Sequence, residues 1–242
     1  MIIKKKAHVP RKVKLEQRVE IPNRLKKQAF EYFSVKTTAQ KLAITDKFLK
    51  KINENTSVLE IGSGSCRFAD FLLRKTKLKS NNLELMDVQF NQKDLPFLKS
   101  LIYKLNKQGK IRLTKADMFE HEYNKKYHFV FIPNSFFSFV TFKDKVKRER
   151  FKEVVLKKYK GFLKEFSLTE VKQVESLNIF LKKIDQSLYL NGEVRLNYMS
   201  ENILKLIKKT KSKNKIFEKY SFKEIKTQDS KDTGLIIKKI KV

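Results

Sequence analysis

The sequence predicts an α/β fold, a mostly parallel sheet with helices on both faces and an antiparallel strand pair at its C-terminal end. Three observations predict it. Short apolar runs alternate with helical periodicities from about residue 57 to 199, the pattern of strand–helix–strand units. Two of the six glycines, Gly62 and Gly64, fall within three residues at the end of the first run, Val58–Ile61, where a strand must turn sharply into a helix. Two final apolar runs, 215–222 and 235–242, read as an antiparallel pair.

The 242 residues form one domain with additions, long enough for a sizeable core. Apolar content of 40% with twenty phenylalanines argues for a packed globule rather than disorder. Basic residues number 56 against 26 acids, for a formal charge of +30. A field of that sign calls for a polyanionic partner, nucleic acid or membrane surface; the bland alternative is a solvated lysine coat from an AT-rich coding sequence. The single cysteine, Cys66, excludes disulfides within the chain and fits a reducing, cytoplasmic compartment. His8, His121 and His128 have no metal-ligand spacing, and no apolar run approaches the length of a membrane span.

Residues 1–25 read as a basic arm broken by Pro10 and Pro22. The first fifteen carry no acid, which leaves an organellar presequence, and so a mitochondrial matrix, open. Residues 26–55 are leading helices: Arg24 to Lys51 places Phe30, Phe33, Leu42, Phe48 and Leu49 at roughly helical spacing. The first strand, Val58–Ile61, contains Glu60 near its end, and Gly62-Ser63-Gly64 follows. Such a turn at a helix N-terminus suits a nucleotide-like ligand, or else is an ordinary strand-to-helix connection. A helix over Cys66–Leu73 leads to a second strand, Asn82–Asp87, which ends on an acid at the interval where a carboxylate holds a ribose diol. A helix over Leu95–Leu105 precedes strand three, Ile111–Ala116, which runs into Asp117-Met118. Strand four is Tyr127–Ile132, leading to Pro133-Asn134-Ser135-Phe136-Phe137.

The order Glu60-x-Gly62-x-Gly64 resembles motif I of the class I S-adenosylmethionine-dependent methyltransferases. The family usually has one more glycine where this chain has Cys66, a buried small residue by this reading rather than a nucleophile. The resemblance covers about residues 56–242 and implies a Rossmann-like seven-stranded methyltransferase sheet. It implies that Gly62, Ser63 and Gly64 lie against the methionine part of the cofactor and that Glu60 orients its amino group. Asp87 would take the ribose hydroxyls, Asp117 and Met118 the adenine, and Pro133 would close the pocket. Motif IV falls on Pro133–Phe137, which makes Asn134 and Phe137 the residues facing the transferred methyl. Methyltransferases of adenine amino groups carry Asn-Pro-Pro-aromatic there. This segment lacks the first asparagine and looks more like bacterial small-molecule methyltransferases. His128 stands where the family most often has aspartate, as a strand-edge substitution or a general base.

A basic helical insertion at about 141–166 lies outside the resemblance. Phe151, Val155, Tyr159, Phe162 and Phe166 form an apolar face. Arg148, Arg150, Lys157 and Lys158 lie on the opposite face, which is a solvated surface or a nucleic-acid clamp beside the active-site mouth. A helix over Val171–Leu188 follows, Asn191-Gly192 turns into the fifth strand, Glu193–Tyr198, and Ile203–Lys208 is a short helix.

The implied activity is methyl transfer from S-adenosylmethionine, chemistry that asks mainly for proximity and alignment. The charge favours a nucleic-acid acceptor, RNA before DNA; the Pro133–Phe137 loop favours a small-molecule amine or hydroxyl. A third reading is a methyltransferase-fold subunit that binds or assembles without catalysis.

Overall fold

Strands supply the frame of this computed structural model, which describes residues 35–64, 66–88, 100–133, 153, 159–199, 201–226 and 233–242. Among these residues the strands are β1 Val58–Ile61, β2 Leu83–Asp87, β3 Arg112–Lys115, β4 Tyr127–Ile132, β5 Leu188–Met199, β6 Tyr220–Lys226 and β7 Thr233–Lys239. They form one seven-stranded sheet in the order β3-β2-β1-β4-β5-β7-β6. The pairs from β3 through β5 are parallel, and β7 runs antiparallel to both β5 and β6. The helices are α1 Val35–Lys41, α2 Asp46–Leu49, α3 Arg67–Lys75, α4 Ser100–Lys107, α5 Leu168–Ile184, α6 Glu201–Thr210 and α7 Lys215–Glu218.

The two faces of the sheet bury separate cores, because successive strand side chains point to opposite sides. Leu59, Ile61, Met86, Val130, Ile132, Val194 and Ile237 pack beneath α5, α6 and α7. Val58, Leu83, Leu85 and Phe131 pack beneath Phe68, Ala69 and Leu72 of α3 and Ile102 of α4. Glu60 alternates onto the α3 side, with consequences taken up below. At α5 a capping box sets the start: Ser167 accepts from the Glu170 N–H while the Glu170 carboxylate accepts from the Ser167 N–H.

Most expected elements stand within a residue or two of their places, and four differ for physical reasons. The leading helix of residues 24–51 is, over its described part, two short helices. Ala43 adopts φ 51°, which ends α1, and the Thr45 hydroxyl caps α2 by accepting from Phe48 N at 3.2 Å. The helix expected to reach Leu188 stops at Ile184. A 3-10 turn over Asp185–Ser187 follows, and Leu188 already pairs with Tyr127. Asn191-Gly192 is therefore not a turn before the fifth strand but a bulge inside it. Leu188 and Glu193, five residues apart, face Tyr127 and Phe129, two apart, which leaves three extra residues on β5. Asn191 takes φ 65° within that bulge. The apolar run at 215–222 is not one strand: Asn214 caps a helical turn through Ile216 N at 3.2 Å, and β6 begins only at Tyr220. Of the insertion, Tyr159 and Phe166 are buried, and a 3-10 turn over Lys160–Phe162 precedes α5.

Two contacts fasten α1 and α2 to the C-terminal strands. Arg195 of β5 is buried, donates to the Leu42 and Ala43 carbonyls at 3.0 and 2.7 Å, and holds Glu193 at 2.6 Å. Its guanidinium lies 3.6 Å from the Phe48 ring centroid. Beside it, β7 passes under the end of α1 at Gly234. A Cβ there would stand 2.2 Å from the Lys41 carbonyl oxygen and 3.1 Å from that of Leu196. Backbone on two sides has nowhere to retreat. Gly234→Ala is expected to destabilise the fold by about 1–3 kcal/mol, seen as a lower urea midpoint at unchanged m-value; an unshifted midpoint would show that α1 does not bear on β7.

Candidate active site at the carboxyl ends of the parallel strands

The chain turns from β1 into α3 through Gly62 and Gly64, at φ 73° and 48°, and Cys66, at φ 58°. Positive φ at these positions explains the glycines. The turn hangs on the end of β2. Gly62 N and Ser63 N donate to the Met86 carbonyl at 2.8 and 3.3 Å, and Gly64 N donates to the Asp87 carboxylate at 2.9 Å. The Ser63 hydroxyl donates back to the Glu60 carbonyl at 3.0 Å. A Cβ built on Gly64 meets nothing within 4 Å, so the turn presents an open face.

Beneath the turn lies Glu60, 1% exposed. Cys66, the residue before α3, has no side-chain capping bond, and the Ala69 N–H in the first turn of α3 hydrogen-bonds to the Glu60 carboxylate instead. Burial, then the nearby charge of Asp87, push the Glu60 carboxyl up to about 8, against the pull of Ala69. Its Oε2 is buried without a hydrogen-bond partner. The Cys66 thiol is pushed up as well, by burial first and then by Glu60 and Asp87, and so stays protonated. Cys66 is a packed side chain, as the sequence implied.

Asp117 follows β3. It is exposed, and its Oδ1 accepts from Phe119 N at 2.8 Å, closing a turn at the strand end. Met118 is buried in the core under α5, and its carbonyl accepts from the Tyr123 hydroxyl at 2.9 Å. Pro133 follows β4 and is buried. The parallel registers bring Glu60, Gly62, Ser63, Gly64, Asp87, Asp117, Met118 and Pro133 to one edge of the sheet. There the strand order reverses between β1 and β4, the crevice where open α/β sheets bind ligands. Asn134, Phe137, Arg148, Arg150, Lys157 and Lys158 lie outside the described residues.

His128 is not at this edge. It sits at the opposite end of β4, where its Nδ1 accepts from Ser57 N at 3.1 Å and approaches the Ser57 hydroxyl at 3.0 Å. Partial burial lowers its pKa. It joins the starts of β1 and β4 and is too remote to serve the crevice as a base. Two buried polar groups gave no signal in the sequence. Glu84 in β2 accepts from the Tyr127 hydroxyl and Thr114, at 2.9 and 2.8 Å. Glu175 of α5 accepts from the Tyr159 hydroxyl at 2.7 Å and Asn178 at 3.2 Å. Each acid has a hydroxyl partner that is distant in the chain.

Neither a scan against protein-family models nor a search of curated proteins finds a match. Solved structures do match. The S-adenosylmethionine-dependent methyltransferase SibL superposes with a TM-score of 0.53 at 13% identity, over 92% of this chain and 60% of its own. A methyltransferase from Pyrococcus furiosus gives 0.51 at 15% identity, over 92% and 100%. The mitomycin 7-O-methyltransferase MmcR gives 0.52 at 9% identity, over 90% and 57%. The chain thus spans less than two thirds of SibL and MmcR. The sheet is the Rossmann-like sheet of the S-adenosylmethionine-dependent methyltransferases, with its antiparallel C-terminal pair.

The state of Glu60 has a readable consequence. Its carboxyl titrates near 4.5 when unfolded and near 8 when folded. Its contribution to stability is therefore fully present below about pH 4.5 and is lost as pH rises toward 8, at up to about 1.4 kcal/mol per unit. Glu60→Gln keeps an acceptor for Ala69 and removes the titration. Thermal melts from pH 5 to 8 should show a shallower fall for the variant than for the wild type, and equal slopes would refute the assignment.

Proposed function

We propose that the protein is an S-adenosylmethionine-dependent methyltransferase acting on nucleic acid, RNA in particular. The observation that carries the first part is the glycine turn held on Asp87 above a buried acid, at the crevice of this sheet. The residues present fit the cofactor in three respects. Gly64 leaves a cradle that a side chain would occupy. The orphaned Glu60 Oε2 lacks the donor that an ammonium group would supply. Asp87, at the end of β2, stands where a carboxylate accepts from a ribose diol.

When bound, the cofactor supplies an electrophilic methyl group on a sulfonium. The chain's own part is to bind and orient. Glu60 and the 62–64 turn hold the amino-acid end, Asp87 holds the ribose, and the Asp117-Met118 turn borders the base. Pro133 lies at the end of β4, and Asn134, next in the sequence, is assigned the orienting of the acceptor; its amide offers both a donor and an acceptor for an amine or hydroxyl. Phe137 is assigned the stacking on a planar acceptor. The net charge of +30 supports a polyanionic acceptor. The second reading, a small-molecule acceptor, rests on the Pro133–Phe137 segment, where Pro133 stands in place of the motif's first asparagine.

Titration calorimetry with S-adenosylmethionine and its demethylated product should show binding. Asp87→Ala should weaken it by about tenfold or more, the loss of a charged hydrogen-bond pair. No heat from the intact protein would instead favour a non-catalytic binding subunit. Asn134→Ala should lower turnover strongly while cofactor affinity stays within a few-fold and the melting temperature holds. An early melt with normal turnover of the folded fraction would make the 133–137 loop structural.

A further inference from the structure

In a parallel sheet every strand is entered from the same edge, so the connections leading into β1, β2, β3, β4, β5 and β6 gather opposite the crevice. Each of these strands is preceded within seven residues by an exposed lysine: Lys51, Lys77, Lys110, Lys125, Lys183 and Lys213 respectively. None of these ammonium groups has a hydrogen-bond or ion-pair partner among the described residues. The acids at this edge are few. Glu54 is paired with Lys79 at 3.1 Å, and Asp185 is held by Lys219 at 2.9 Å and Lys239 at 3.2 Å. Glu122, exposed before β4, and Glu218, exposed before β6, stand against them. At the crevice edge the described charged residues are mixed, with Glu60, Asp87, Asp117 and Glu120 beside Arg67 and Lys115.

The lysines make a line rather than a cluster. Seven strands at about 4.8 Å spacing place its ends about 29 Å apart. In the line, beside the start of β4, stands an exposed aromatic ring. Tyr189, 39% exposed, projects from the bulge of β5. The Lys126 ammonium lies 5.8 Å from its ring centroid and the His128 ring 4.3 Å away on centroids. A row of unpaired cations with an aromatic platform is the composition that holds a single-stranded polyanion, phosphates on the lysines and a base on the ring.

We infer that the strand-entry edge is a nucleic-acid-binding ridge, with Lys125, Lys183 and Lys213 contacting phosphates and Tyr189 stacking on a base. It is separate from the crevice, about 17 Å away along β4, and from the 141–166 insertion. A lipid surface is the weaker occupant. The apolar side chains exposed near this edge, Leu190, Ile240 and Val242 with Tyr189, belong to β5 and the residues after β7, whereas the cations run the length of the sheet.

The test uses the full chain without S-adenosylmethionine, so its outcome is independent of the methyl-transfer reading. Binding of a fluorescent 20-nucleotide oligouridylate is followed by anisotropy across a salt series, beside flotation with phosphatidylserine-containing vesicles. Lys125→Glu/Lys183→Glu/Lys213→Glu should lower affinity more than tenfold and reduce the logarithmic salt slope by about 2, for three phosphate contacts on a single strand. Tyr189→Ala should lower affinity by about tenfold with the salt slope unchanged. A control, Lys47→Glu/Lys104→Glu/Lys205→Glu, removes equal charge from exposed helix positions and should change affinity less than threefold. Melting curves of all variants check folding. Equal loss in the control would reduce the ridge to general electrostatics, and vesicle binding without oligouridylate binding would assign the edge to lipid.

Discussion

A carboxyl group sealed beneath the first turn of a helix is the constraint on which the β1–β3 half of this fold depends. Glu60 sits at the end of β1, where its backbone belongs to the sheet and its side chain belongs to α3. It takes the capping role that Cys66 leaves empty and so fixes how α3 leaves the sheet. With α3 fixed, the turn between them has one route, and that route brings its N–H groups onto the Met86 carbonyl and the Asp87 carboxylate. Buried, half-satisfied carboxyls are expensive, and this one persists where two acids share a small volume. Proximity of Asp87 makes simultaneous ionisation of both unfavourable. A cationic group entering the crevice would relieve that conflict.

What could be read from the sequence was what is local. A strand ending in an acid, a glycine pair and the next strand's terminal aspartate lie within thirty residues, and backbone chemistry alone sets their order. The differences arise wherever a distant segment decides. Asn191-Gly192 looks like a turn by composition, yet the pairing of Leu188 with Tyr127 draws it into β5 as a bulge. Residues 215–218 are apolar enough for a strand, but Asn214 caps them into a helix that buries Ile216 and Phe217. His128 occupies a motif-like position in the chain and a structural one in space, because the start of β4 lies against Ser57. Glu84 could be placed only after Tyr127 had arrived on β4 and Thr114 on β3.

Net charge behaves in the same way. Its size is a property of composition, and its address is a property of topology. The densest basic run of the sequence draws attention to 141–166, whereas the lysines before each strand look like scattered surface residues. Parallel connectivity collects them, because every crossover leaves the sheet at the crevice edge and must re-enter it at the opposite one. An α/β sheet thus sorts its loops into two populations, one at each edge.

The clasp of Arg195 and Gly234 on the end of α1 also bears on the order in which the molecule can be assembled. Synthesis proceeds from the N-terminus, so α1 and α2 leave the ribosome before their partners exist. Phe48 has β4 to rest on only later, and the carbonyls of Leu42 and Ala43 wait for a guanidinium about 150 residues downstream. β7 then inserts between β5 and β6, so a position next to the edge strand is the last part of the sheet to be filled. The nascent chain therefore carries an incomplete sheet with an open edge on β5 until its final strand arrives, the period in which unpaired strands are most exposed to wrong partners. The abundance of charge on the finished surface is also present on that unfinished one, where like-charge repulsion between neighbouring chains keeps them apart.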